Sequence, residues 1–103
     1  MANPYAGEVA IKIDGQERIC KLTLGSLAEL ETKLEAGTLT ELIGRFEAGA
    51  CSSRDILMLI VAGLRGGGWF VTEAELLAAD IEGGPIAAAK AAAEMLARAF
   101  SVG

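Results

Sequence analysis

The period of the hydrophobic pattern changes once, near residue 24, and that change constrains the fold more than any other feature of the 103-residue chain. Before it, residues 8–13 alternate, with Val9, Ile11 and Ile13 on one side and Ala10 and Lys12 on the other. Period-two alternation is the signature of a half-buried strand. Asp14-Gly15 then supplies the two positive φ angles that a tight hairpin turn requires. Residues 17–23 return, with Cys20 and Leu22 falling by parity on the face of Val9, Ile11 and Ile13. Arg18 shares that face beside the turn, where its stem packs while its head reaches water. An isolated hairpin is marginal in water, so this one has to lie against something else.

From residue 24 onward the pattern is helical and the capping signals repeat. Ser26 with Glu29, Thr38 with Glu41, and Thr72 with Glu75 each place a hydroxyl three residues ahead of a glutamate, which is the capping-box arrangement. Ser52 with Asp55 is a weaker form of it. These starts predict helices over 25–36, 39–48, 53–65 and 72–82. A fifth begins after Pro85, a residue suited to a first turn, and runs to about Phe100. Gly37, Gly49, Gly66 and Gly83 fall where the first four helices should stop. The expected fold is therefore α+β: an N-terminal β-hairpin packed on a bundle of about five short helices. It forms one domain, with an arm at 1–7, the hairpin at 8–23 and the helical part at 24–101.

The helices differ in what they offer for burial. Leu27, Leu30 and Leu34 make one stripe on the first, and Leu39, Leu42, Ile43 and Phe46 one on the second. The third is apolar nearly all round (Ile56, Leu57, Leu59, Ile60, Val61, Leu64), which predicts a central position. The fourth, with Leu76, Leu77 and Ile81, is short. The fifth is alanine-rich; alanine favours helix but buries little area, so loose docking of this helix is expected. The uninterrupted apolar run from Ile56 to Ala62 is far short of the roughly 20 residues a membrane span needs, and Met1-Ala2-Asn3-Pro4-Tyr5 does not begin a signal peptide.

Composition excludes several chemistries. The formal net charge is −5 and the nine lysines and arginines are scattered, so no basic stripe for nucleic acid is present. There is no histidine, which removes the commonest general base and most zinc sites. The acid pairs Glu29/Glu31, Glu73/Glu75 and Asp80/Glu82 are spaced i, i+2 and point to different sides of a helix. Cys20 and Cys51 have no metal-ligand spacing; with no secretion signal, a reducing cytoplasm is the default. Cys20 reads as a small core residue. Cys51, before a helix, reads either as inert or as a reactive thiol favoured by the helix N-terminus. Gly66-Gly67-Gly68 is followed by Trp69-Phe70-Val71 rather than by the lysine and hydroxyl of a phosphate-binding loop. These glycines end a helix and let the chain reverse, or serve as a hinge. No catalytic, metal or cofactor residue is expected, and no enzyme.

What remains is protein contact. Trp69 and Phe70 either cover the end of the core or stand out as anchors, a role in which tryptophan is enriched. Tyr5 is a weaker signal of the same kind. The unpaired outer edge of the hairpin is open to recruiting a second copy, which would make a homodimer.

Read in order, Gly7-Glu8-Val9, Asp14-Gly15, the segment Leu22-Thr23-Leu24-Gly25-Ser26-Leu27-Ala28-Glu29-Leu30-Glu31 and the segment Gly63-Leu64-Arg65-Gly66-Gly67-Gly68 resemble the small tail assembly chaperones of gene transfer agents and related tailed phages. The resemblance runs from about Gly7 to Phe100. It departs at Ala6, where many members carry arginine. It implies a non-enzymatic chaperone that holds the tape measure protein soluble until tail tube subunits assemble around it, so the expected partner is the tape measure or tail tube protein. Trp69, Phe70, Ile86, Met95, Leu96 and Phe100 are the expected contact residues. The alternatives are a permanent structural component of the tail or its connector, and a general protein-interaction module.

Overall fold

The computed structural model describes residues 7–33 and 38–100. Two strands, β1 (Val9–Ile13) and β2 (Gln16–Cys20), are followed by five helices: α1 (Leu24–Lys33), α2 (Leu39–Glu47), α3 (Ser53–Gly66), α4 (Glu73–Leu77) and α5 (Gly84–Ala99). This is the expected α+β arrangement, a two-stranded antiparallel hairpin with five helices. Leu34, Gly37 and Tyr5, each given a role above, lie outside the described residues.

The hairpin register pairs Val9 with Cys20, Ile11 with Arg18 and Ile13 with Gln16. Asp14 and Gly15 turn the chain at φ 51° and 81°, two left-handed residues in succession as a type I′ turn demands. Val9, Ile11, Ile13, Cys20 and Leu22 are all buried, so parity assigned the core face correctly. Cys20 is fully enclosed, and burial pushes its thiol up to about 12.

Helix α3 is the centre of the molecule. Every residue from Met58 to Leu64 is buried, and burying each large aliphatic side chain contributes about 1.5–3 kcal/mol. Ser52 caps α3 by accepting from the Asp55 N–H at 3.1 Å, and Asp55 reciprocates by accepting from the Ser52 N–H at 3.0 Å. The Asp55 carboxylate also receives both the Nε and a terminal nitrogen of Arg45, at 3.0 and 3.1 Å, tying α2 to the start of α3. The Arg45 guanidinium, aided by the Ser52 N–H, holds this carboxyl below the usual carboxylate range. Arg65, near the end of α3, reaches Glu29 of α1 at 3.0 Å.

Three expectations are corrected. The cap of α1 is Thr23, not Ser26: the Ser26 N–H donates to the Thr23 hydroxyl at 3.1 Å, while the Thr23 N–H donates to Ser26 Oγ at 2.8 Å. Thr23 and Ser26 thus cap each other, and Ser26 is buried inside the first turn rather than standing ahead of it. Helix α4 is much shorter than 72–82, because residues 80–82 are drawn onto the edge of β1. Asp14 and Asp80 exchange bonds, with the Asp14 N–H on the Asp80 carbonyl at 2.8 Å and the Asp80 N–H on Asp14 Oδ1 at 2.9 Å. The Glu82 N–H reaches the Lys12 carbonyl at 2.9 Å, and Ile81 bridges Ile13. Gly83 accordingly precedes α5, at φ 86°, rather than ending α4.

The third correction concerns α5, which is firmly docked on α3 and β1 with Ala88, Ala91, Ala92, Met95 and Leu96 buried. Its alanines permit close approach where larger residues would hold it off. Gly63 lacks the Cβ that would run into Met95, so Met95 fills that space. Farther along α3, a Cβ on Gly66 would overlap the Lys21 carbonyl and one on Gly67 the Ile19 carbonyl. These two glycines are where the helix meets the backbone of the hairpin, which gives them a packing role. The Lys21 N–H closes the contact by donating to the Gly63 carbonyl at 2.9 Å.

Candidate protein-interaction surface

Among the described residues no group of histidine, cysteine, aspartate and glutamate side chains is arranged to hold a metal ion. The most organised polar cluster, Arg45–Asp55–Ser52, is consumed in capping α3. Of the two cysteines, Cys20 is sealed in the core and Cys51 is half-buried ahead of α3. The surface is therefore best read for apolar groups that the fold leaves uncovered.

The six expected contact residues separate into three environments. Met95 and Leu96 are core residues, 0% and 5% exposed, because the face of α5 that carries them turns onto α3. Met95 is withdrawn from any surface of the folded protein; Leu96 still forms one wall of a surface groove. Trp69 is half-buried against the core, and the Arg18 guanidinium lies over its ring at 4.1 Å. Arg18 Nε is itself enclosed without a hydrogen-bond partner, so the stacked indole is its main compensation. Its terminal nitrogen reaches Gln16 at 2.9 Å. Phe70 points the other way, 70% exposed, with Arg65 over its ring at 5.2 Å. The two adjacent aromatics thus take one role each: Trp69 covers the core end and Phe70 stands out.

Ile86 and Phe100, at opposite ends of α5, are 79% and 46% exposed. Between them, Ala93 and Ala97 are also exposed, and the four positions lie within one narrow arc of the helix. Beside this stripe, α2 and α5 enclose an open groove of about 350 Å³, lined by Ile43, Phe46, Glu47, Ala93, Leu96, Ala97 and Phe100. Ile43 and Phe46, read in the sequence as part of the apolar stripe of α2, are partly buried against the core and also line this groove, a second role the sequence did not show. No local signal separated them, because Leu39, Leu42, Ile43 and Phe46 fall on one stripe at helical spacing.

Two other depressions flank the core. One, of about 250 Å³, is lined by apolar residues of α3, α4 and the start of α5 together with Ser53. The other, of about 410 Å³, runs between β1 and α5 and is bordered by Lys12, Glu17, Glu82, Lys90 and Glu94. The edge of β1 that faces it is closed at one end by Glu82 on the Lys12 carbonyl and at the other by Arg98, which donates to the Glu8 carbonyl at 2.6 Å. The expected recruitment of a second copy through an open hairpin edge therefore has little edge to use.

Comparison with known families gives a match to "Phage tail tube protein, GTA-gp10" over residues 6–102. The chain belongs to this family. Neither curated proteins nor solved structures give a match. Membership establishes a gene-transfer-agent or phage tail protein, and with it protein partners within a tail assembly. The family is described as one of tail tube proteins, not of assembly chaperones, so the tail assignment expected from the sequence stands at that coarser level. No described helix is long and apolar enough to cross a membrane.

Proposed function

We propose that this protein is a non-enzymatic structural component of a phage-like, gene-transfer-agent tail, working through protein–protein contacts at the tail tube or its connector. The family match over residues 6–102 carries this reading. The surface is consistent with it: exposed apolar residues and grooves are its main features, and its organised polar groups are spent on helix caps and hairpin bonds.

A second reading, a chaperone that binds the tape measure protein and leaves before the tail is complete, is favoured by one observation. A subunit that builds a wall by joining sheets edge to edge needs bare strand edges. Here β1 is latched by Glu82 and Arg98, and the Ile19–Lys21 end of the return strand lies against the glycine-rich end of α3. Contact through helix faces then remains, and such contact suits an adaptor or chaperone as well as a connector.

Quantitative mass spectrometry of purified particles separates the two. A structural component is present at fixed stoichiometry to the tail tube. A chaperone is abundant in the producing cell, depleted from particles, and co-purifies with the tape measure protein in lysates. Absence from particles together with no association with any tail protein would overturn both.

A further inference from the structure

We propose that residues 72–82 form a latch that opens from β1 as one unit, ahead of global unfolding, and that opening bares the β1 edge for an antiparallel strand of a tail partner. The inference rests on the reading of this protein as one that works by contact within a tail. It supplies what the closed structure withholds from that reading, a bare strand edge.

The latch is weakly tied. Between Thr72 and Glu82 only Leu76 is buried; Glu73, Ala79 and Ile81 are half-buried and the rest are exposed. In α3, by contrast, every residue from Met58 to Leu64 is buried. The depression of about 250 Å³ that Leu76, Leu77 and Ile81 share with Ile56, Leu57 and Ile60 leaves the apolar side of the latch incompletely packed. Segments with few buried apolar contacts and exposed backbone bonds are the ones that open locally. Thr72 and Glu75 cap α4 with bonds that stay inside the latch, so α4 moves with the residues after it. Three bonds tie it to the hairpin: the Asp14 N–H on the Asp80 carbonyl, the Asp80 N–H on Asp14 Oδ1, and the Glu82 N–H on the Lys12 carbonyl. Buried Val71 anchors one end. At the other, Gly83 and Gly84 both sit at positive φ, 86° and 69°, and glycine changes φ at little steric cost.

What opening exposes is a usable edge. The Glu8 and Lys12 carbonyls and the Asp14 N–H all point to the outer side of β1, so Ala10, of the same parity, does too. The latch pairs there only as an isolated antiparallel bridge, Ile13 with Ile81. Past Glu82 the chain turns away at Gly83, and among the described residues nothing pairs with the Ala10 N–H and C=O. Release therefore joins Asp14, Lys12 and Ala10 into one continuous edge, with Arg98 still on Glu8. That edge already accepts an extended, antiparallel backbone from the chain itself, which names the kind of occupant it takes. A partner strand that reaches Ala10 makes more ladder bonds than the latch does, and this surplus offsets the opening. Main-chain pairing of this kind is a common way to bind extended segments.

The opening is tested by hydrogen exchange on the full chain, read residue by residue. The Asp14, Asp80 and Glu82 amides should share one protection factor, at least about 100-fold below those of Ile60 to Leu64, with a shallower urea dependence. Asp14→Gly removes the carboxylate that holds Asp80 while suiting the left-handed turn, and should speed Glu82 exchange about tenfold with α3 unchanged. Latch amides protected as strongly as α3, each exchanging at its own rate, or indifferent to Asp14→Gly would overturn the latch. The edge is tested with Lys12→Cys and Glu82→Cys in one chain. These positions face each other next to the Ile13–Ile81 bridge, at a spacing of about 5.5 Å that a disulfide spans. Peptide mapping checks that Cys51 is not oxidised instead. Co-purification of identified tail proteins should fall about tenfold or more on oxidation, as the ladder bonds are lost, and return on reduction. Undiminished association of the oxidised form would overturn the use of the edge. A dimer of the reduced protein that oxidation dissociates would also overturn it, by assigning the edge to a second copy. Slow latch exchange with tail association intact sinks the latch alone, whereas a chain that opens but associates with no tail protein sinks the proposed function and, with it, the tail partner.

Discussion

The hairpin side of the molecule and the α2–α5 side treat their surfaces in opposite ways. At the hairpin, edge groups that water or another chain would otherwise meet are taken up internally. The Lys12 carbonyl receives Glu82, the Glu8 carbonyl receives Arg98, the Lys21 N–H finds Gly63, and Gly66 and Gly67 press on the Lys21 and Ile19 carbonyls. Across the molecule, α2 is held by buried Leu42 and the Arg45–Asp55 pair, and the groove beside it keeps Phe46, Ile43 and Phe100 in reach of solvent. The hairpin side is built to specify the fold and, while latched, to refuse further strands. The α2–α5 side keeps apolar area in reserve. Substitutions on the first should act on stability, and those on the second on association.

The largest effect is expected at the glycines of α3. A methyl group at Gly66 would collide with the Lys21 carbonyl, which is backbone and cannot rotate away. Gly66→Ala should cost about 4 kcal/mol, at the upper end of single-substitution effects, or prevent folding. Urea denaturation reads the loss directly. Thiol labelling with peptide mapping supplies a local readout: in the native wild type Cys51 should react and Cys20 should not, because Cys20 is enclosed and its thiol is pushed up to about 12. In Gly66→Ala, Cys20 should label readily. A fully stable Gly66→Ala variant with protected Cys20 would show that α3 is not wedged against the hairpin as described.

That result would also test what the sequence revealed and what it hid. The hairpin, its buried face and its turn were legible because alternation and Asp14-Gly15 are local signals. The caps at Thr38, Ser52 and Thr72 were legible for the same reason. What was hidden depends on partners far along the chain. Residues 78–82 continue a helical pattern, yet Ile81 is claimed by Ile13, and nothing near residue 81 announces it. Gly66 and Gly67 read as a helix stop, whereas together with Gly63 they mark where an apolar helix closely approaches the hairpin backbone and Met95. Of the contact residues, Phe70, Ile86 and Phe100 proved exposed, and Met95 did not. An alanine-rich helix gives no clue in composition as to which of its two apolar faces will be buried.

A smaller effect is expected where the two sides are joined. Asp55 serves at once as partner of the Ser52 cap and as acceptor for Arg45. Asp55→Ala should cost about 1–2 kcal/mol, the usual range for loss of a helix cap. The pH dependence gives the sign. Arg45 lowers the folded-state value of this carboxyl, so its contribution is present above the unfolded value and disappears as pH falls through the folded one. The stability difference between wild type and Asp55→Asn should therefore be flat above about pH 5 and shrink at about pH 4 and below. A difference that grows on acidification would contradict the pairing.

Weaker still is the stacking of Arg18 on Trp69. Arg18→Gln removes the cation above the ring and should cost about 0.5–1 kcal/mol, with a shift in the tryptophan emission as the indole gains solvent. Because Arg18 Nε is enclosed without a partner, Arg18→Met could offset this loss by relieving that unpaired group. Arg18→Met should then be more stable than Arg18→Gln. The reverse order in thermal denaturation would mean that the guanidinium charge, and not its packed stem, holds Trp69 in place.

The smallest effect on stability is expected at the groove, and its smallness is the point. Ala97 is exposed on a helix whose opposite face makes the core contacts, so Ala97→Gln should change stability by no more than about 0.5 kcal/mol. Glutamine is also a good helix former, which keeps the propensity penalty relative to alanine within that limit. If Ala97→Gln is markedly destabilising in the isolated protein, α2 closes over α5 in solution and the groove is part of the core. If it is neutral alone yet lowers the stability or yield of a complex with tail proteins, the apolar area kept open on this side is area that the assembly covers.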